Sequence, residues 1–194
     1  MDGFSYVMTL VAIIIGLSIT HILSGIGQAI HRLRGHGAPI RIESVYLLWV
    51  GTVFINIISF WWWEYKFNEI VSEWSFALYV FILMYAIMWY LTAAILVPSK
   101  MDEISDSFEY FLQGRKWFFS LMLLIIVVDV IDSFLKGTAW GLRPIFIAQT
   151  IIFIASYTTG MVSTSRKAQL TSALTAFIAN LFYMFIEMAK LGGW

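Results

Sequence analysis

The 194-residue chain is 60% hydrophobic and 12% charged, with a mean hydropathy of +0.82 and no formal net charge. Soluble domains carry about 25% charged residues, so this composition argues for a polytopic membrane protein instead. Zero net charge gives no footing for nucleic acid as a partner. The absence of cysteine removes disulfides, thiolate metal sites, iron–sulfur clusters and cysteine nucleophiles together.

Six apolar spans follow one another at about 4–30, 43–65, 75–97, 117–136, 144–163 and 168–189, each near the roughly 20 residues a bilayer-crossing helix needs. They make residues 1–194 a single integral membrane domain with an all-α, six-helix bundle. The first run has no basic n-region and no Ala-x-Ala-like cleavage site, so it reads as a retained span and not a signal peptide. Projected at about 100° per residue, it sorts into two sides. Val11, Ile15, Ile19, Ile22, Leu23, Ile26, Ala29 and Ile30 are aliphatic and suit lipid. Thr9, Gly16, Ser18, Thr20, His21, Ser24, Gly25, Gly27, Gln28 and His31 are expected to face protein, a cofactor or water.

This span breaks at Arg32, Arg34, Gly35 and Gly37, with Pro39 beyond. The second closes on Trp61-Trp62-Trp63-Glu64-Tyr65-Lys66, an aromatic belt at a water interface. The third runs from Trp74 to Pro98. In the connection that follows, Ser99-Lys100-Met101-Asp102 has the pattern of a helix start. Ile104, Phe108, Phe111 and Leu112 then recur at helical spacing between Asp102, Glu103, Asp106 and Glu109. A short acidic interfacial helix near 101–113 is therefore expected. Its charge makes it a better fit to protein than to anionic lipid.

Arg32, Arg34, Arg41, Lys100, Arg115, Lys116, Arg166 and Lys167 follow the odd-numbered spans, against Lys66, Lys136, Arg143 and Lys190 on the other side. By the positive-inside rule both termini are expected outside the cytoplasm. The last three spans show no convincing inverted repeat of the first three.

Asp129 is the costliest residue, an acid within the apolar run Phe118–Phe134 and about 10 Å from the end of its span. Asp132 shares its face and has Lys136 at i+4 as a partner. Glu64 and Glu187 lie at the same end, close in sequence to Lys66 and Lys190, and form an outer acidic cluster with the two aspartates. His21 sits among Thr20, Ser24 and Gly25, where it can be a hydrogen-bonded buried group, a proton-relay member or a porphyrin ligand. Asn56, Gln149 and Asn180 are mid-span polar groups suited to interhelical hydrogen bonds, and Tyr183 and Glu187 share the Asn180 face.

No His-Glu-x-x-His, Gly-x-Ser-x-Gly, Walker or Gly-x-Gly-x-x-Gly motif occurs. Asp129-x-x-Asp132 alone makes a poor metal site. The chain is expected not to be an enzyme and to carry no cofactor. Phe4-x-Tyr6, Gly16-Leu17-x-Ile19-Thr20-His21-x-Leu23-x-Gly25, the Trp pair closing the second span and Val128-Asp129-x-x-Asp132 resemble a group of small bacterial six-helix inner-membrane proteins. That resemblance implies a bacterial inner membrane and no particular chemistry.

Two functional readings follow. In the first the chain is a non-enzymatic scaffold or accessory subunit, in a homo-oligomer or larger complex within the lipid bilayer. In the second it conducts protons or cations along a polar path of His21, Asp129, Asp132, Gln28, Thr20, Ser24, Asn56 and Asn180. A pigment or haem carrier using His21 is the remaining alternative.

Overall fold

The computed structural model describes residues 3–187. Within them the chain forms eight α-helices: α1 (Gly3–Leu33), α2 (Ser44–Glu64), α3 (Lys66–Ile70), α4 (Phe76–Leu96), α5 (Ser107–Leu135), α6 (Thr138–Gly141), α7 (Pro144–Val162) and α8 (Arg166–Glu187). Six segments are long and apolar enough to cross a membrane: α1, α2 continued by α3, α4, α5, α7 and α8. The expected all-helical architecture, with six segments of membrane-spanning length and apolarity, is thus present among the described residues. The end of the sixth span at Ala189, and Lys190, lie outside the described residues.

Among the long helices, α2, α4, α5, α7 and α8 each touch the next in a closed set, and α1 lies against α2 and α4. α2 is central and touches α1, α4, α5 and α8, while α7 is wedged between α5 and α8. Trp49 of α2 is fully buried at this junction. Its ring meets Phe111, Phe118 and Phe119 of α5 and Tyr157 of α7 at centroid distances of 5.1–6.4 Å. Aromatic bulk of this kind fills space among several helices with few rotatable bonds to immobilise.

Two expectations need correction. The first is the separate acidic helix near 101–113. Met101–Glu103 is a single 3₁₀ turn, and α5 begins at Ser107 and runs unbroken for 29 residues. The stronger start signal is Asp106, whose carboxylate accepts from the backbone N–H groups of Phe108 (2.8 Å) and Glu109 (3.1 Å). Nothing then stops the helix. Gly114 costs only about 1 kcal/mol in a helix interior, too little to break a segment whose two sides are both anchored by packing.

The second correction concerns α1. Its buried stripe is Phe4, Val7, Val11, Ile15, Ser18, Ile22, Gly25 and Arg32, packed on α2 and α4. Thr9, Gly16, Thr20, Ser24 and Gly27 face outward, so the side assigned to protein is largely bare within this chain. The physical reason is local satisfaction of the hydroxyls. Thr9 donates to Ser5 O (2.7 Å) and Thr20 to Gly16 O (2.8 Å), so neither needs a partner on another helix.

Candidate functional site

Five helices send one face each toward the Glu64 end of the bundle. Asn56, Phe60 and Trp63 recur along α2, Tyr85 and Trp89 along α4, and Ile125 and Asp129 along α5. α7 contributes Phe146, Gln149, Phe153 and Tyr157, and α8 contributes Asn180, Tyr183 and Met184. Spacings of three and four residues put each set on a single helical face. The faces line a partly open cavity of about 70 Å³. At roughly 10–15 Å³ per water site, it has room for about five waters.

Among the described residues, Asp129 is the only charged side chain on its wall. The Tyr85 hydroxyl donates to Asp129 Oδ1 at 3.3 Å. Asn180 is 2% exposed, and its Nδ2 has no hydrogen-bond partner. Asn56 points its amide Nδ2 back to Thr52 O of its own helix at 2.8 Å. These groups converge on the cavity without closing on one another.

Asp132, one turn on from Asp129, is committed elsewhere. Lys136 Nζ lies 2.5 Å from Asp132 Oδ2 and 3.5 Å from Glu64 Oε1, with all three side chains fully buried. Trp63 Nε1 donates to the same Asp132 oxygen at 2.8 Å, and the Lys136 ammonium stands 4.5 Å from the Trp63 ring centroid. The triad holds two acids and one base. Both Glu64 carboxylate oxygens and Asp132 Oδ1 are buried without hydrogen-bond donors.

A second ion pair joins the helix ends beside this triad. Arg143 contacts Glu187 directly, donates to the Tyr183 hydroxyl at 3.4 Å and stacks 3.9 Å from the Trp140 ring centroid. Trp140 in turn meets Trp63 at 5.8 Å. Asp132 takes the base expected from its i+4 spacing, whereas Glu64 and Glu187 take bases other than their neighbours in sequence. Lys66 pairs with Glu69 at 2.5 Å, Glu64 with Lys136, and Glu187 with Arg143.

The residues singled out on α1 lie apart from this site. His21 Nε2 donates to Val97 O, just beyond α4, at 2.8 Å. Gln28 accepts from the Met101 backbone N–H at 3.1 Å and donates to Ser24 at 3.3 Å. His21, Gln28, Thr20 and Ser24 are not among the residues lining the Asp129 cavity. Together His21 and Gln28 tie α1 to the turn that follows α4.

Arg32 completes that tie. It is 7% exposed, and its guanidinium donates to Ala38 O (2.8 Å), Pro39 O (2.9 Å) and Ile104 O (2.7 Å), and also to Met101 O. The sequence marks Arg32 and Arg143 only as loop charges and Trp63 only as a belt residue, and Tyr85 is not singled out there. Tyr85 carried a signal as a hydroxyl inside an apolar span. The pairing of Trp63 with Asp132 and of Arg143 with Glu187, and the reach of Arg32 to Met101 and Ile104, join residues more than 40 positions apart. Comparison with family models, with curated proteins and with solved structures finds no match to this chain.

Proposed function

We propose that the chain is a non-enzymatic multi-pass subunit or scaffold of a membrane assembly, lying in a bacterial inner membrane with both termini outside the cytoplasm. The observation that carries this reading is the separate engagement of its polar groups. His21 is held by the Val97 carbonyl, Asp129 by Tyr85, Asp132 and Glu64 by Lys136, and Glu187 by Arg143. Side chains so engaged lock helices together, which is what interhelical hydrogen bonds do in a bilayer. The likeness to small bacterial inner-membrane proteins supports the compartment, and the excess of basic residues after the odd-numbered spans supports the orientation.

The outward face of α1 supports the assembly part. Gly16, Thr20 and Ser24 repeat every four residues, and Gly16 has no atom near its Cα side. Small residues at this spacing let two helices approach closely, and a two-fold dimer is the simplest result. A haem or pigment role for His21 would require its ring to leave the Val97 carbonyl.

The conduction reading keeps one observation in its favour, the cavity beside Asp129. Reconstitution separates the two. Purified protein in liposomes with an internal pH dye is expected to show no flux above empty vesicles, and native mass in mild detergent to show an oligomer. Flux in the wild type that is lost in Asp129→Asn or His21→Ala would overturn the subunit reading.

A further inference from the structure

The cavity beside Asp129 is more than a gap in packing. Among the described residues, its wall carries one carboxylate and no lysine, arginine or histidine. Lys136, on the same helix end, is held by Asp132 and Glu64. The remaining wall is aromatic, including Tyr85, Trp89, Phe153 and Tyr157. Rings attract a cation through their negative faces, and a carboxylate gives it a hydrogen-bonded counter-ion. An anionic occupant would meet the Asp129 carboxylate with no cationic side chain on the described wall to offset it.

A second, independent observation points inward. The Asn180 amide is buried at 2% exposure with Nδ2 unpartnered, so a polar group on the wall awaits an occupant. A half-turn about its last side-chain bond turns the amide oxygen to the same place, an acceptor for an N–H donor. A volume of about 70 Å³ admits roughly five heavy atoms by the measure of the waters it would otherwise hold.

A second hollow lies beside the cavity. An apolar groove between α7 and α8 is lined by Ile152, Leu174, Ile178 and Phe182, and Gln149 and Tyr183 line both groove and cavity. These two side chains form the partition between them.

We infer that this cavity is a binding site for a small alkylammonium ion, its ammonium on Asp129 and its alkyl part against the aromatic wall. The inference stands apart from the subunit reading, since a subunit can carry a ligand site and a site needs no flux. Butylammonium is the probe, with butanol as its neutral analogue and sodium as the inorganic cation, added to the purified full chain in mild detergent. Tryptophan emission reports directly, because Trp63 and Trp89 line the cavity.

A saturable change is expected with butylammonium, and none with butanol or sodium at equal concentration. Asp129→Asn keeps an acceptor for Tyr85 but removes the charge, and is expected to weaken binding about tenfold or more. Gln149→Leu, which alters the partition without touching Asp129, is expected to weaken it several-fold and serves should Asp129→Asn fail to fold. No saturable response in the wild type, an equal response to butanol or sodium, or full affinity in the folded variants would mean that the cavity holds water only and would overturn the assignment.

Discussion

Lys136 and Asp132 face each other across one turn at the end of α5, Nζ to Oδ2 at 2.5 Å, with both side chains sealed from solvent. Glu64 enters from α2 at 3.5 Å, so a single ammonium serves two acids. Such a pair adds little net stability over well-packed apolar residues, because two charges must be stripped of water first. Breaking it is another matter. Lys136→Met leaves two buried acids without a base and is expected to cost about 3–5 kcal/mol. The combined Glu64→Gln, Asp132→Asn, Lys136→Met variant is expected to regain most of that. Unfolding midpoints in detergent measure both, and a single Lys136→Met as stable as wild type would contradict the account.

The start of α5 gives a smaller, local effect. Asp106 caps it by accepting from two backbone N–H groups, whereas Ser99 precedes the 3₁₀ turn and lies seven positions before the cap. Asp106→Ala is expected to lose about 1 kcal/mol and Ser99→Ala close to nothing. Equal losses would restore Ser99 as a helix start.

Much of this fold was open to reading because its strongest signals are one-dimensional. An apolar run of bilayer length needs no partner to be recognised, and Asp132 and Lys136 at i and i+4 declare their own pairing. The helix near 101–113 misled because Ser99 and Asp106 both carry cap chemistry, and only the competition between them decides. The facing of α1 misled for a different reason. Threonine hydroxyls that bond to their own helix, as Thr20 does to Gly16 O, are polar in composition yet acceptable on an outward face. Tyr85 with Asp129, and Arg143 with Glu187, join residues 44 positions apart in each case, and no local pattern announces them.

Arg32 holds two connections at once. Its guanidinium gathers carbonyls from the loop after α1 and from the segment before α5, which are otherwise joined by the bridge between Arg41 and Asp106. Arg32→Ala would leave those carbonyls without donors. Both connections are then expected to open and to become sensitive to trypsin at Arg34, Arg41 and Lys100, sites read by gel and mass spectrometry on reconstituted protein. Arg32→Lys is expected to give intermediate protection, because an ammonium cannot present the planar fork that reaches carbonyls on two loops. Unchanged digestion in Arg32→Ala would remove this residue as the clamp.

Two glycines separate folding from assembly. Gly160 of α7 faces Phe119, and a Cβ there would run into its ring. Phe119 is fully buried against Trp49, Phe111, Phe118 and Tyr157, so it has nowhere to move. The Gly160 carbonyl also accepts from Gln169 of α8 at 2.6 Å, which holds the two helices close. Gly160→Ala is therefore expected to destabilise by about 1–3 kcal/mol, outweighing the gain of about 1 kcal/mol in helix propensity. At Gly16 the same change meets nothing within 4 Å. There the propensity gain stands alone, and the isolated chain is expected to be as stable as wild type or slightly more so. If the α1 face receives a second copy, the bulkier Gly16→Ile instead drives the oligomer toward monomer in native mass spectra while the thermal midpoint of the fold holds. An unchanged oligomer in Gly16→Ile would move the assembly surface off α1. A large fall in midpoint would show that Gly16 is packed within the chain after all.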